Sequence, residues 1–120
     1  MTKPVGPYTP IVRAGDLLIC SGQLGLRDGA LVDGVAAQTT QAIANAEALL
    51  VGQGAALTDV VKTLVFLTDM SDFATMNEAY IAGFGDHRPA RSAIGVAALP
   101  LGGVVEIEVW AHKPAMPAEG

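Results

Sequence analysis

The run Pro89-Ala90-Arg91-Ser92-Ala93-Ile94-Gly95-Val96-Ala97-Ala98-Leu99-Pro100 and, just beyond it, Val105-Glu106-Ile107-Glu108-Val109-Trp110-Ala111 constrain this chain most. They read as two β-strands joined by a Leu-Pro-Leu-Gly-Gly turn. The first strand carries a fixed positive charge at its start, and the second carries two carboxylates at alternating positions in an otherwise apolar run. Only 16% of the chain is charged, and charges set into apolar strands are costly unless paired or used. Arginine is the side chain best shaped to hold a planar carboxylate through two hydrogen bonds. A small acidic metabolite is therefore the first ligand to consider.

At 120 residues the chain has room for one domain and one core. It is 51% hydrophobic, which a domain of this size cannot hide alone. A homo-oligomer whose interfaces bury the excess is expected; an unusually apolar, Ala-rich surface is the alternative. The net charge is −5 and the seven basic residues are scattered, which argues against nucleic-acid binding, since that affinity comes from phosphate neutralisation. The single cysteine, Cys20, lies in the apolar run Leu17-Leu18-Ile19-Cys20 and reads as a buried structural thiol. No intrachain disulfide is possible. Met1-Thr2-Lys3-Pro4 reads without an apolar leader and no stretch approaches transmembrane length, so a cytoplasmic protein with no membrane association is expected. One domain over residues 1–113 and a flexible tail over 114–120 are expected.

Residues 4–10 hold three prolines and read as a stiffened, extended lead-in. Strands are expected at Ile11 to Arg13 and Leu17 to Gln23, with a hairpin turn at Asp28-Gly29. Val35 to Val51 has helical spacing of Ala36, Ile43, Ala46 and Leu50, and Gly52 and Gly54 end it. Val60 to Leu67 has the character of a central strand apart from Lys62. A second helix is expected to run to about Gly83 with Ser71 as its N-cap, presenting Phe73, Met76, Asn77, Tyr80 and Phe84 on one face. The order predicts an α+β sandwich with two helices packed on one face of a mixed sheet.

Arg91 is the sharpest candidate for a binding role, against the plainer possibility of a strand-end arginine reaching solvent. Glu106 and Glu108 share a strand face with Trp110 and His112; a carboxylate there is suited to orienting water and accepting a proton, or is a solvated edge residue. Asn77 on an apolar helix face needs partners, whether structural or ligand. Tyr8 is placed to pack on the core or to cap a pocket through its hydroxyl. His87, His112 and Cys20 make no metal-ligand set. Neither a phosphate loop nor a nucleophile elbow is present.

Taken together, Gly6-Pro7-Tyr8, Ser21-Gly22-Gln23, Asp72-Phe73-Ala74-Thr75-Met76-Asn77, Pro89-Ala90-Arg91-Ser92, Leu99-Pro100 and Glu106-Ile107-Glu108 resemble the RidA/YjgF family of reactive-intermediate deaminases. The resemblance spans nearly the whole chain. It implies a chorismate-mutase-like fold and a homotrimer with sites in the clefts between subunits, needing no cofactor and no obligate protein partner. It implies hydrolysis of enamine/imine intermediates of the 2-aminoacrylate type to 2-keto acids and ammonia. Arg91 matches the family's carboxylate-binding arginine and Glu106 the glutamate that positions water. Tyr8, Asn77, Ser21 and Gly22 match pocket residues.

Three positions depart from the family pattern. Ala93 stands where a cysteine is usual in the pocket, Arg88 precedes Pro89 where an aromatic is common, and Gly95 replaces a longer side chain. The segment Gly83 to Arg88 is also shorter than usual. These departures leave a non-catalytic trimeric ligand-binding or chaperone-like protein as the alternative, with endoribonuclease activity disfavoured by the acidic charge.

Overall fold

The β-branched run from Val60 becomes a central strand in the structure, a computed structural model that describes residues 6–115. In chain order the strands are β1 (Ile11–Ala14), β2 (Leu17–Leu24), β3 (Leu26–Arg27), β4 (Ala30–Leu31), β5 (Val60–Leu67), β6 (Ala90–Gly95) and β7 (Val105–His112). Helix α1 (Val35–Val51) precedes β5, and α2 (Phe73–Phe84) joins β5 to β6. Five strands form a mixed sheet in the order β1-β2-β7-β5-β6. The pair β3 and β4 is a separate ribbon, turned by Asp28 and Gly29 with φ of 54° and 83°, the left-handed geometry of a tight hairpin.

β5 and β6 run parallel, whereas the other pairs in the sheet are antiparallel. A parallel pair needs a crossover, and α2 supplies it. The two closing strands are consequently not neighbours, as a simple turn between them would make them: β7 lies between β2 and β5. The connection wraps the end of β5, with Val96 N donating to Leu67 O at 2.8 Å and Thr68 N donating to Val104 O at 3.2 Å.

Both helices cover one face of the sheet, as the sequence predicts. Leu18, Cys20, Val65, Leu67, Val105, Ile107 and Val109 from the strands meet Ala42, Ile43, Ala46, Leu50, Met76, Tyr80 and Phe84 from the helices in one core. Gly83 allows the helices to close: a Cβ there would sit 2.8 Å from Ile43 Cδ1. Two local expectations are corrected. Ala36 is exposed, and Gln38 and Thr39 are buried instead; Gln38 tethers the helix start by donating to Val32 O and accepting from Val104 N, each at 3.0 Å. Ser71 is not the cap of α2. It lies in a 3-10 turn, Met70–Asp72, and its backbone N–H donates to Asp69 Oδ1 at 2.9 Å, so Asp69 caps the turn.

The other face has no helix over it. Ile19, Leu64, Phe66 and Trp110 alternate there with Lys62, Glu106 and Glu108, all partly accessible. No helix among the described residues is long and apolar enough to cross a membrane. Pro4 of the lead-in and residues 116–120 of the expected flexible tail lie outside the described residues.

Candidate active site

Strand register divides the candidate residues between the two faces. Arg91 stands beside Thr63 on the helix-covered face, at the sheet's edge strand. Glu106 stands opposite Phe66 on the uncovered face of β7, alternating with the buried Val105 and Ile107. Within one chain the sheet itself separates them.

On the helix side, α2 builds a seat for Arg91. Its Nη1 donates to Asn77 Oδ1 at 2.7 Å, and its guanidinium carbon lies 4.9 Å from the Tyr80 ring centroid and 5.5 Å from that of Phe73. Phe73, Asn77 and Tyr80 recur at i, i+4 and i+7, which places all three on one helix face. The Tyr80 ring is itself fixed by a 2.7 Å hydrogen bond between its hydroxyl and that of buried Thr63. A cation over aromatic faces is stabilised without being neutralised. Among the described residues Arg91 has no carboxylate partner; its bonded partner is a neutral amide. Ala93, two positions further along the same face, packs against the core.

On the uncovered face, a cleft of about 240 Å³ is lined by Tyr8, Ser21, Gly22, Leu24, Pro100 and Glu106. An irregularity in β2 shapes it. Cys20 pairs with Val109 but Gln23 with Ile107, so one extra residue is accommodated at Ser21-Gly22. Ser21 pins the lead-in across this bulge: its backbone N–H donates to Pro10 O at 2.8 Å and its hydroxyl to Thr9 O at 2.7 Å. Tyr8 is thereby held at the rim. Gly22 makes room for the carboxylate, because a Cβ there would lie 2.4 Å from Glu106 Oε1.

Burial pushes the Glu106 pKa up from the ordinary carboxylate range, and the neighbouring Glu108 charge adds to the effect. Glu108 accepts a 2.7 Å bond from Trp110 Nε1. A half-desolvated carboxylate at a cleft wall is suited to exchanging a proton with bound water. Cys20 is fully buried and its thiol is pushed up to about 12 by burial, so it takes no part as a nucleophile.

The sequence singled out Tyr8, Ser21, Gly22 and Glu106, and the structure brings these four together. It also brings Arg91 to Asn77. Leu24 and Pro100 as cleft walls, and Thr63 and Tyr80 as the support under Arg91, were not singled out as site residues. Leu24 and Pro100 are apolar, and the hydroxyls of Thr63 and Tyr80 satisfy one another, so none carries a chemical signal in the sequence; only the fold reveals them.

The model of the Endoribonuclease L-PSP family matches residues 1–113. The chain belongs to this, the RidA/YjgF family. A RutC family protein of Pyrococcus horikoshii is 43% identical over 114 residues, covering 92% of this chain and 90% of its own. The 2-iminobutanoate/2-iminopropanoate deaminase of Salmonella typhimurium is 41% identical, covering 91% and 89%. The structure of Escherichia coli TdcF with bound serine superposes with a TM-score of 0.88 at 36% identity, covering 92% of this chain and 91% of that one.

Proposed function

We propose that this protein is a hydrolytic deaminase of small 2-enamine and 2-imine acids of the 2-aminoacrylate type, releasing 2-keto acids and ammonia. The observation that carries this reading is Arg91: a guanidinium seated by α2 on Tyr80 and Asn77 and paired with no carboxylate among the described residues. Such a group is preorganised for a substrate carboxylate. The deaminase relative at 41% identity agrees with this chemistry.

The working site is composite. Arg91 of one subunit faces the Tyr8–Glu106 cleft of the next in a homotrimer, and the uncovered apolar face of the sheet provides the contact. In this arrangement Arg91 binds the carboxylate of the imine through its two-pronged edge. An enamine first takes a proton at its terminal carbon to become the protonated imine. Water adds to the carbon of the protonated imine and gives a proton to Glu106, leaving a neutral carbinolamine. Glu106 passes that proton to the amino nitrogen, and as the C–N bond breaks and ammonia leaves, the hydroxyl proton returns to Glu106 and the carbonyl of the keto acid forms. The Ser21-Gly22 bulge and Tyr8 shape the cleft around the reacting atoms.

Endoribonuclease activity, which the family description names, fits poorly with a net charge of −5 and scattered bases. The test is keto-acid release in a threonine dehydratase reaction, where the dehydratase product is a 2-imine. Faster release of 2-oxobutanoate on adding the pure protein supports the reading. An unchanged rate across imines from several amino acids overturns it in favour of a binding protein.

A further inference from the structure

Arg88 has no part in this mechanism, yet it is built into the same corner of the molecule. It follows α2 directly before Pro89, and its Nη1 donates to the carbonyl oxygens of Gly85 and His87. Gly85 caps the C-terminal end of α2, where the helix dipole favours a cation. Both hydrogens of Nη1 are thereby used, so the head group is oriented while Nε and Nη2 keep their donors. That outward edge has the planar shape that a carboxylate fits.

Arg91 lies over a ring system that runs on along α2 to the residue beside Arg88. Tyr80, under Arg91, stacks on Phe84 with centroids 4.7 Å apart, and Phe84 lies 6.4 Å from the ring of His87, the residue before Arg88. The Tyr80 hydroxyl senses both cations: burial pushes its pKa up, while the Thr63 hydrogen bond and then the charges of Arg91 and Arg88 pull it down. Among the described residues neither guanidinium is paired with a carboxylate, although acidic residues outnumber basic ones by twelve to seven. Two uncompensated cations, Arg91 over Tyr80 and Arg88 oriented at the C-terminal end of the same helix, match a ligand with two negative groups.

We infer that Arg88 is a specificity-determining residue that binds a second carboxylate, so that the preferred substrates are 2-imino dicarboxylates. This rests on the deaminase reading for the reaction itself: water still adds at the imine carbon and ammonia still leaves, and the distal carboxylate only binds.

The test compares wild type, Arg88→Ala and Arg88→Lys on imines generated in situ by amino-acid oxidases from glutamate, aspartate and alanine. Wild type is expected to prefer the dicarboxylate imines. Arg88→Ala should raise KM for them by about 10-fold, the scale of one charged hydrogen-bonded contact, with kcat and alanine-imine hydrolysis little changed. Arg88→Lys should restore part of the loss, because it returns the charge without the fork. Equal KM effects on mono- and dicarboxylate imines, or none, overturn the assignment. Calorimetry with 2-oxoglutarate against 2-oxobutanoate separates this from the underlying reading. If no imine is hydrolysed the deaminase reading fails, whereas 2-oxoglutarate binding lost selectively in Arg88→Ala still supports a second carboxylate site, and binding indifferent to Arg88 removes it.

Discussion

At the scale of single residues, the proposed function turns on the Arg91 seat. In that reading, removing the guanidinium leaves a substrate carboxylate desolvated and unpaired. Breaking such a pair costs about 3–5 kcal/mol, so Arg91→Ala should lower kcat/KM by several hundredfold or more. Steady-state imine hydrolysis by the folded variant checks this; wild-type rates would make Arg91 a merely structural residue. Arg91→Lys should recover only part of the loss.

Glu106 makes a prediction whose sign follows from its environment. Its pKa is raised by burial and then by Glu108. The folded chain therefore holds this proton more tightly than the unfolded chain does. The cost to stability is absent below the ordinary carboxylate pKa, grows as pH rises, and is complete above the raised value. Glu106→Gln, which never ionises, should melt higher than wild type at neutral pH and match it in acid. If Glu106 takes the proton from water, the acid limb of the kcat/KM profile sits above the usual carboxylate range. Arg91→Ala, by deleting the opposing charge across the composite site, should move that limb further up. A limb at an unshifted carboxylate position in both proteins would remove Glu106 as the titrating base.

At the scale of elements, the β2 bulge is the device that opens the cleft. Gly22→Ala puts a methyl group where the Glu106 carboxylate now lies, 2.4 Å from Oε1. The carboxylate must swing away, and a displacement of about 1 Å at a reacting group can cost on the order of 10²-fold in rate. Activity should fall on that scale while circular dichroism and oligomer size stay unchanged. Near-normal turnover would show that the close approach of Gly22 to Glu106 has no bearing on the chemistry.

The elements were legible where periodicity carries them. The helix over Val35–Val51, the strand over Val60–Leu67 and the Asp-Gly hairpin all follow from local pattern. Register was not legible. Leu99 to Gly103 reads as a turn joining two strands because turn residues punctuate it, but the β5–α2–β6 crossover takes the edge position and leaves the slot between β2 and β5 to β7. That choice is made by long-range pairing, on which local propensity is silent. The same blindness hid the separation of Arg91 from Glu106. A one-residue slip in β6 would exchange faces, and nothing in Ala90 to Gly95 marks which face is inward. Ser71 has the residue type of a cap, but its own N–H and hydroxyl both donate to Asp69 Oδ1, which caps the 3-10 turn ahead of α2.

At the scale of the whole molecule, the proposed composite site makes oligomerisation part of the chemistry. The uncovered face presents Ile19, Leu64, Phe66 and Trp110 beside the Glu106 cleft, whereas Arg91 looks out past α2 at the far edge of the sheet. A head-to-tail ring joins these two surfaces, and three copies close it in the proposed trimer. Light scattering should therefore give the mass of three chains. Composite sites also predict complementation. An Arg91→Ala subunit still carries Glu106, and a Glu106→Gln subunit still carries Arg91. Where the two meet in the right order, an intact site forms between two individually defective chains. Unfolding an equal mixture and refolding it should assemble heterotrimers in which about a quarter of the sites are whole, since each site draws its two halves from adjacent subunits at random. Recovered activity should approach that fraction of wild type, although each variant refolded alone stays inactive. A site contained within one chain, or one acting across the sheet, recovers nothing on mixing. Zero recovery in mixtures shown by mass spectrometry to contain heterotrimers would therefore defeat the intersubunit arrangement, and recovery in mixtures kept as separate homotrimers would point to exchange of subunits during the assay.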